Sequence, residues 1–89
     1  MNARFDFSGK RVVVTGGGVG IGRAIIEGFL AAEARVLTIE HRTDRAEALR
    51  AALPQVEVIE GDVTRAADVA ALASTVADRF GALDVLVNN

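Results

Sequence analysis

The residues that could do chemistry begin with a glycine-rich turn, Thr15-Gly16-Gly17-Gly18-Val19-Gly20-Ile21-Gly22. Glycines admit positive φ and let backbone N–H groups approach a ligand with no Cβ in the way. A helix starting at the end of such a turn aims its free N–H groups and its positive dipole end at the same point, where a pyrophosphate fits. Glu40 stands 18 residues after Gly22. A carboxylate at the end of a second strand accepts hydrogen bonds from the adenosine ribose hydroxyls and repels a 2′-phosphate. That favours NAD, while His41-Arg42 directly after it keeps NADP open, since an Arg there can neutralise the 2′-phosphate. The bland alternatives are a turn that binds nothing and ordinary loop charges. The rival phosphate cradle, the P-loop, needs Gly-Lys-Ser/Thr, which does not follow these glycines. The S-adenosylmethionine-binding fold usually carries an acid where Thr15 stands.

The elements that would position these residues follow from periodicity. Arg11–Thr15 is a short β-branched run suited to a strand buried on both faces. Ile21, Ala24, Ile25, Gly28, Phe29 and Ala32 fall on one helical stripe. Gly28 there is explained either by close packing on a sheet or by simple tolerance. Val36–Ile39 is a second strand. Asp44 with Glu47 three residues on predicts a capped helix to Leu53, which Pro54 stops. Val56–Glu60 mixes apolar residues with Glu57 and Glu60 and belongs at a sheet edge. Thr64 can cap a third helix with the stripe Val69, Leu72, Ala73, Val76 and Phe80, closed by Gly81. Val85–Val87 is a fourth strand.

Strands alternating with helices predict an α/β fold, a Rossmann-type parallel sheet with helices on both faces and strand order 3-2-1-4. Residues 1–89 then form one dinucleotide-binding half-domain, the first half of a doubly wound fold cut after its fourth strand, with an unpaired edge prone to self-association.

Composition bounds the rest. Half of the 89 residues are apolar and a quarter are charged, a globular balance. A net charge of −2 gives no electrostatic case for nucleic acid or an anionic membrane. The absence of cysteine excludes disulfides, thiolate metal sites and Cys nucleophiles. No apolar run approaches the ~20 residues of a membrane span, and Met1–Lys10 lacks the apolar core of a signal peptide, so a cytoplasmic protein is expected.

The turn, with Gly16 and Gly20 spaced as in TGxxxGxG, resembles the fingerprint of the short-chain dehydrogenase/reductase family. Phe7-Ser8-Gly9-Lys10 resembles its lead-in, Asp62-Val63-Thr64 its adenine-contacting acidic segment, and Leu83-Asp84-Val85-Leu86-Val87-Asn88-Asn89 the run leading into Asn-Asn-Ala-Gly. The resemblance spans essentially the whole chain. It implies that Thr15 ties the turn to neighbouring backbone and that Gly16, Gly20 and Gly22 form the pyrophosphate turn. Gly17, Gly18 and Val19 would lie near the adenosine, and Ile21 near the phosphate. Glu40 would hold the ribose, Asp62 would accept from the adenine amino group, and Val63 would pack on or beside the ring. Asn89 would approach the nicotinamide ribose while Asn88 stabilises the sheet. Glu33 departs from the family, which often has Gly there. Glu takes a left-handed cap only at a cost, so another geometry is expected.

The family moves hydride between a nicotinamide and an alcohol or carbonyl carbon, with Tyr, Lys, Ser and a further Asn as catalytic groups. This sequence has no Tyr, and its one Lys, Lys10, precedes the first strand. No catalytic residue is therefore expected within it. The expected function is the N-terminal dinucleotide-binding part of an NAD(P)-dependent oxidoreductase, a homo-oligomer at full length. The alternative is a self-contained nucleotide-binding or interaction module.

Overall fold

The computed structural model describes residues 6–89. Met1–Phe5, part of the N-terminal stretch considered above, lie outside the described residues. The chain runs β1 (Arg11–Thr15), α1 (Gly20–Ala31), β2 (Arg35–Glu40), α2 (Thr43–Ala52), β3 (Glu57–Glu60), α3 (Ala66–Phe80) and β4 (Val85–Val87). All pairings are parallel, in the order β3-β2-β1-β4, so the expected Rossmann-type sheet is formed and β3 does lie at an edge.

Alternation along the strands divides the core in two. Val12 and Val14 of β1, with Val36 and Val58, pack with Ile26 of α1 and Ala46 and Leu49 of α2. Val13 and Leu37 point the other way, to Phe80, Leu72 and Val76 of α3. Val12, Val13 and Val14 are all within 1% of complete burial, each worth about 1.5–3 kcal/mol. The α3 face is thinly covered: Val69 is 44% exposed, and Leu86, in register with Val13, is 59% exposed.

A polar clamp fixes β4 against β1. The Arg11 backbone N–H and Nε donate to Asp84 Oδ2 at 2.8 and 2.9 Å, and the Asp84 N–H donates back to the Arg11 carbonyl at 2.9 Å. Arg11 Nη1 also reaches the Phe80 carbonyl at 3.2 Å, tying the end of α3 to the same point.

Several local expectations are corrected. The core face of α1 is turned by about one residue, or 100°. Gly22 and Ile26 are buried with Ile25, Phe29 and Leu30 beside them, whereas Ile21 is 74% exposed. The helix is apolar most of the way round, so spacing does not select a face. The contact of Gly22 with the Gly16 carbonyl does. A Cβ on Gly28 would meet open space, so tight packing does not account for that glycine.

The two side-chain caps also fail to form. Asp44 lies inside the first turn of α2 and pairs with Arg42 at 3.1 Å; Arg42 is the N-cap and supplies no side-chain bond. Thr64 donates its hydroxyl to Asp62 Oδ1 at 2.7 Å instead of capping α3, and Arg65 is the N-cap. In both places a nearer charged partner wins over the helix amides. Gly81 does close α3 at φ +73.

Glu33 takes the left-handed conformation after all, at φ 69. The surrounding bonds over-determine it. Its N–H and Ala34 N–H reach back to Leu30 and Phe29 carbonyls at 2.9 and 3.0 Å, and its carboxylate accepts from Ser8 Oγ at 3.0 Å.

Two outcomes are expected. Glu33→Gly should raise stability by about 0.5–1 kcal/mol, since left-handed strain exceeds the lost surface bond. A melting temperature at or below wild type would contradict this. Arg11 hydrogen bonds hold the Asp84 carboxyl at about 2, below its ordinary value of 3.8. A depressed folded-state value stabilises above the unfolded one, so the clamp acts fully above about pH 4 and fades between about pH 4 and 2. In Asp84→Asn, denaturation curves should lose that part of the acid dependence.

Candidate cofactor-binding site

The candidate residues meet at the ends of β1 and β2. β1 stops at Thr15, buried at 8% exposure, and the chain turns from Gly16 at φ +64 to Gly20 at φ +61, the first residue of α1. Thr15 Oγ1 accepts the Asn89 N–H at 2.9 Å, and the Asn89 side-chain amide donates to the Gly16 carbonyl at 3.2 Å. The residues after β4 are thereby tied to the start of the turn. Gly22 seats against the same place, where an added Cβ would come within 2.6 Å of Asn89 Nδ2.

The turn is sewn to β2 by its first amides. Gly16 N–H donates to the Ile39 carbonyl at 2.9 Å, Gly17 N–H to Thr38 Oγ1 at 3.2 Å, and Gly18 N–H to Glu40 Oε2 at 3.1 Å. Glu40 is only 3% exposed, and its Oε1 accepts the Arg42 N–H at 3.2 Å. His41 Nδ1 lies 3.8 Å from that same oxygen. The Arg42 guanidinium turns away to Asp44.

The start of α1 differs from the other helix starts. None of the three helices has a side-chain cap, but α1 also lacks an acid in its first turn, whereas α2 carries Asp44 and α3 carries Asp68. The first-turn amides of a helix have no internal partner. Those around Gly20, Ile21 and Gly22 therefore present uncompensated positive potential, and the Cβ direction of Gly20 is open. Exposed apolar side chains flank this polar centre, with Val19 at 49% and Ile21 at 74%.

Asp62 and Val63 follow β3 at the same end of the sheet. The Thr64 hydroxyl, and then its N–H at 2.8 Å, hold the Asp62 carboxyl below the usual carboxylate range. Both bonds use Oδ1, leaving Oδ2 without a hydrogen bond among the described residues. Val63 is 48% exposed. Lys10 lies at the opposite strand ends, where an open groove of about 410 Å³ between Leu30, Pro54 and Phe80 contains no residue of the turn.

Two residues at the site escape a reading by motif. Thr38 is fully buried, and Arg45 packs its Cβ 2.9 Å from where a Gly18 Cβ would stand. The signal for Thr38 was its spacing from Glu40: i and i+2 in a strand share a face. Nothing in the sequence marks Arg45.

The family model for short chain dehydrogenases matches residues 10–89. L-fucose dehydrogenase of Mus musculus is 43% identical over 89 residues, covering 100% of this chain and 33% of that protein. Farnesol dehydrogenase of Aedes aegypti is 38% identical over 88 residues, covering 93% of this chain and 36% of that one. The crystal structure of a short-chain dehydrogenase from Streptomyces avermitilis superposes with a TM-score of 0.81 at 42% identity, covering 92% of this chain and 31% of that one. The chain thus spans about a third of the length of these relatives. With the turn, the strand order and these matches in agreement, the chain belongs to the short-chain dehydrogenase/reductase family.

Proposed function

We propose that this chain is the dinucleotide-binding part of an NAD(P)-dependent oxidoreductase acting on an alcohol or carbonyl group, with NAD(H) preferred. The observation that carries the reading is the start of α1, whose first-turn amides have no acid beside them, unlike those of α2 and α3. The amides from Val19 to Gly22 would take the pyrophosphate. Those of Gly16, Gly17 and Gly18 are engaged within the chain and shape the turn. Ile21 and Val19 offer apolar surface beside the phosphates, Asp62 offers its unused Oδ2 to the adenine amino group, and Val63 offers a face to the ring. Asn89, held to Gly16, would border the nicotinamide ribose. The bound nicotinamide would supply the hydride acceptor or donor. The proton-transferring Tyr and its Lys and Ser partners would come from outside these 89 residues, since the chain has no Tyr.

Two features support NAD over NADP. Each Glu40 oxygen accepts one backbone bond and retains a lone pair for a ribose hydroxyl, while its charge opposes a 2′-phosphate. Arg42, the cation that would offset this, is paired with Asp44. The full-length form would be a homo-oligomer in the cytoplasm. In the isolated chain, the open side of β4 with exposed Leu86 favours association of copies.

NADH should therefore bind more tightly than NADPH. Glu40→Gln, which keeps an acceptor but removes the charge, should narrow the ratio at least about fivefold. Equal affinities in the unaltered protein, measured by fluorescence titration, would end the NAD preference. Gly22→Ala forces a Cβ into the Gly16 carbonyl, and NADH affinity should drop at least about tenfold. Retained affinity would show that the turn does not hold the cofactor.

A further inference from the structure

Thr38 sits in the middle of β2, 0% exposed, among Val36, Leu37 and Ile39. A hydroxyl in such surroundings is tolerated only when bonded, and valine would fill the same shape with better strand propensity and no polar cost. Both roles of the hydroxyl are taken. Oγ1–H donates to the Val14 carbonyl at 2.6 Å, and a lone pair accepts the Gly17 N–H at 3.2 Å. A threonine has a single hydroxyl proton. Once that proton is given to Val14, Oγ1 faces Gly17 as an acceptor only.

The bond fits a series. Consecutive residues Thr38, Ile39 and Glu40 hold the amides of Gly17, Gly16 and Gly18. Without them these amides would be free to turn outward, and the turn could present its N–H groups in many combinations. With them the amides left for a ligand are those that begin α1. The space at Gly17 is equally specified, because an added Cβ would lie 2.5 Å from Thr38 Oγ1.

We propose that Thr38 is a positioning residue for the pyrophosphate of the cofactor. By holding the Gly17 N–H inward against β1 and β2, it fixes the conformation in which the amides from Val19 to Gly22 converge. The proposal rests on the reading of this turn as a dinucleotide site. It acts through the turn, not through contact with the ligand.

The test compares the chain with its Thr38→Val and Thr38→Ser variants by amide hydrogen exchange and by titration with NADH and with adenosine, which lacks phosphate. In Thr38→Val the Gly17 amide should exchange on the order of tenfold faster, while the amide of Val13 within β1 keeps its rate. NADH affinity should fall by a comparable factor and adenosine affinity should not. Thr38→Ser, which keeps the hydroxyl, should restore both. Should Thr38→Val fail to fold, Thr38→Cys serves, since a thiol is a poor acceptor. Unchanged Gly17 exchange overturns the proposal, as does a loss of NADH affinity that adenosine shares or that serine does not restore. Failure of the unaltered chain to bind NADH overturns the cofactor reading and the ligand half of this proposal with it. The exchange rates then still decide whether Thr38 holds the turn.

Discussion

Burial of β1 on both faces is the constraint from which the other features follow. A strand with Val12, Val13 and Val14 all sealed needs a helix layer on each side and a hydrogen-bonded neighbour at each edge. β2 and β4 are those neighbours, so whatever follows β1 emerges between the ends of two other strands. Thr15 and Gly16 meet Asn89 on one side and Ile39 on the other. The turn is consequently braced from both flanks before α1 begins, and its shape belongs to the sheet more than to its own glycines.

The elements whose signals are intrinsic were legible from residue types alone. β1 and β4 fall where valine runs place them, and the turn lies between a buried strand and a helix as its glycines require. Features decided by competition were not. The face of α1 depends on Gly22 meeting a carbonyl six residues earlier, which apolar periodicity cannot express. Asp44 and Thr64 have cap-forming side chains, yet Arg42 and Asp62 engage them first. Glu33 accepts an unfavourable φ because the ladder of Leu30, Phe29 and Ser8 bonds around it leaves no other path.

At the candidate site the polar residues named by motif were legible, and their internal commitments were not. Glu40 reads as a free carboxylate at a strand end, but it lies beneath Gly18 with both oxygens on backbone N–H groups. A charge that serves the protein's own amides in this way is already oriented before any ligand arrives. The same holds for Asp62, whose carboxyl is lowered in pKa and fixed in direction by the Thr64 hydroxyl and N–H.

The cation–π contact of Arg35, 4.9 Å above Phe80, has a further meaning when set beside its location. Arg35 opens β2 and Phe80 closes α3, so the contact pins the far end of the sheet, as Arg11 and Asp84 do for β1 and β4. These two fasteners sit where the strands begin, at the opposite end of the sheet from the candidate site where β1 and β2 finish. Substitutions around the turn therefore touch neither of these fasteners, and the two ends of the sheet can change separately.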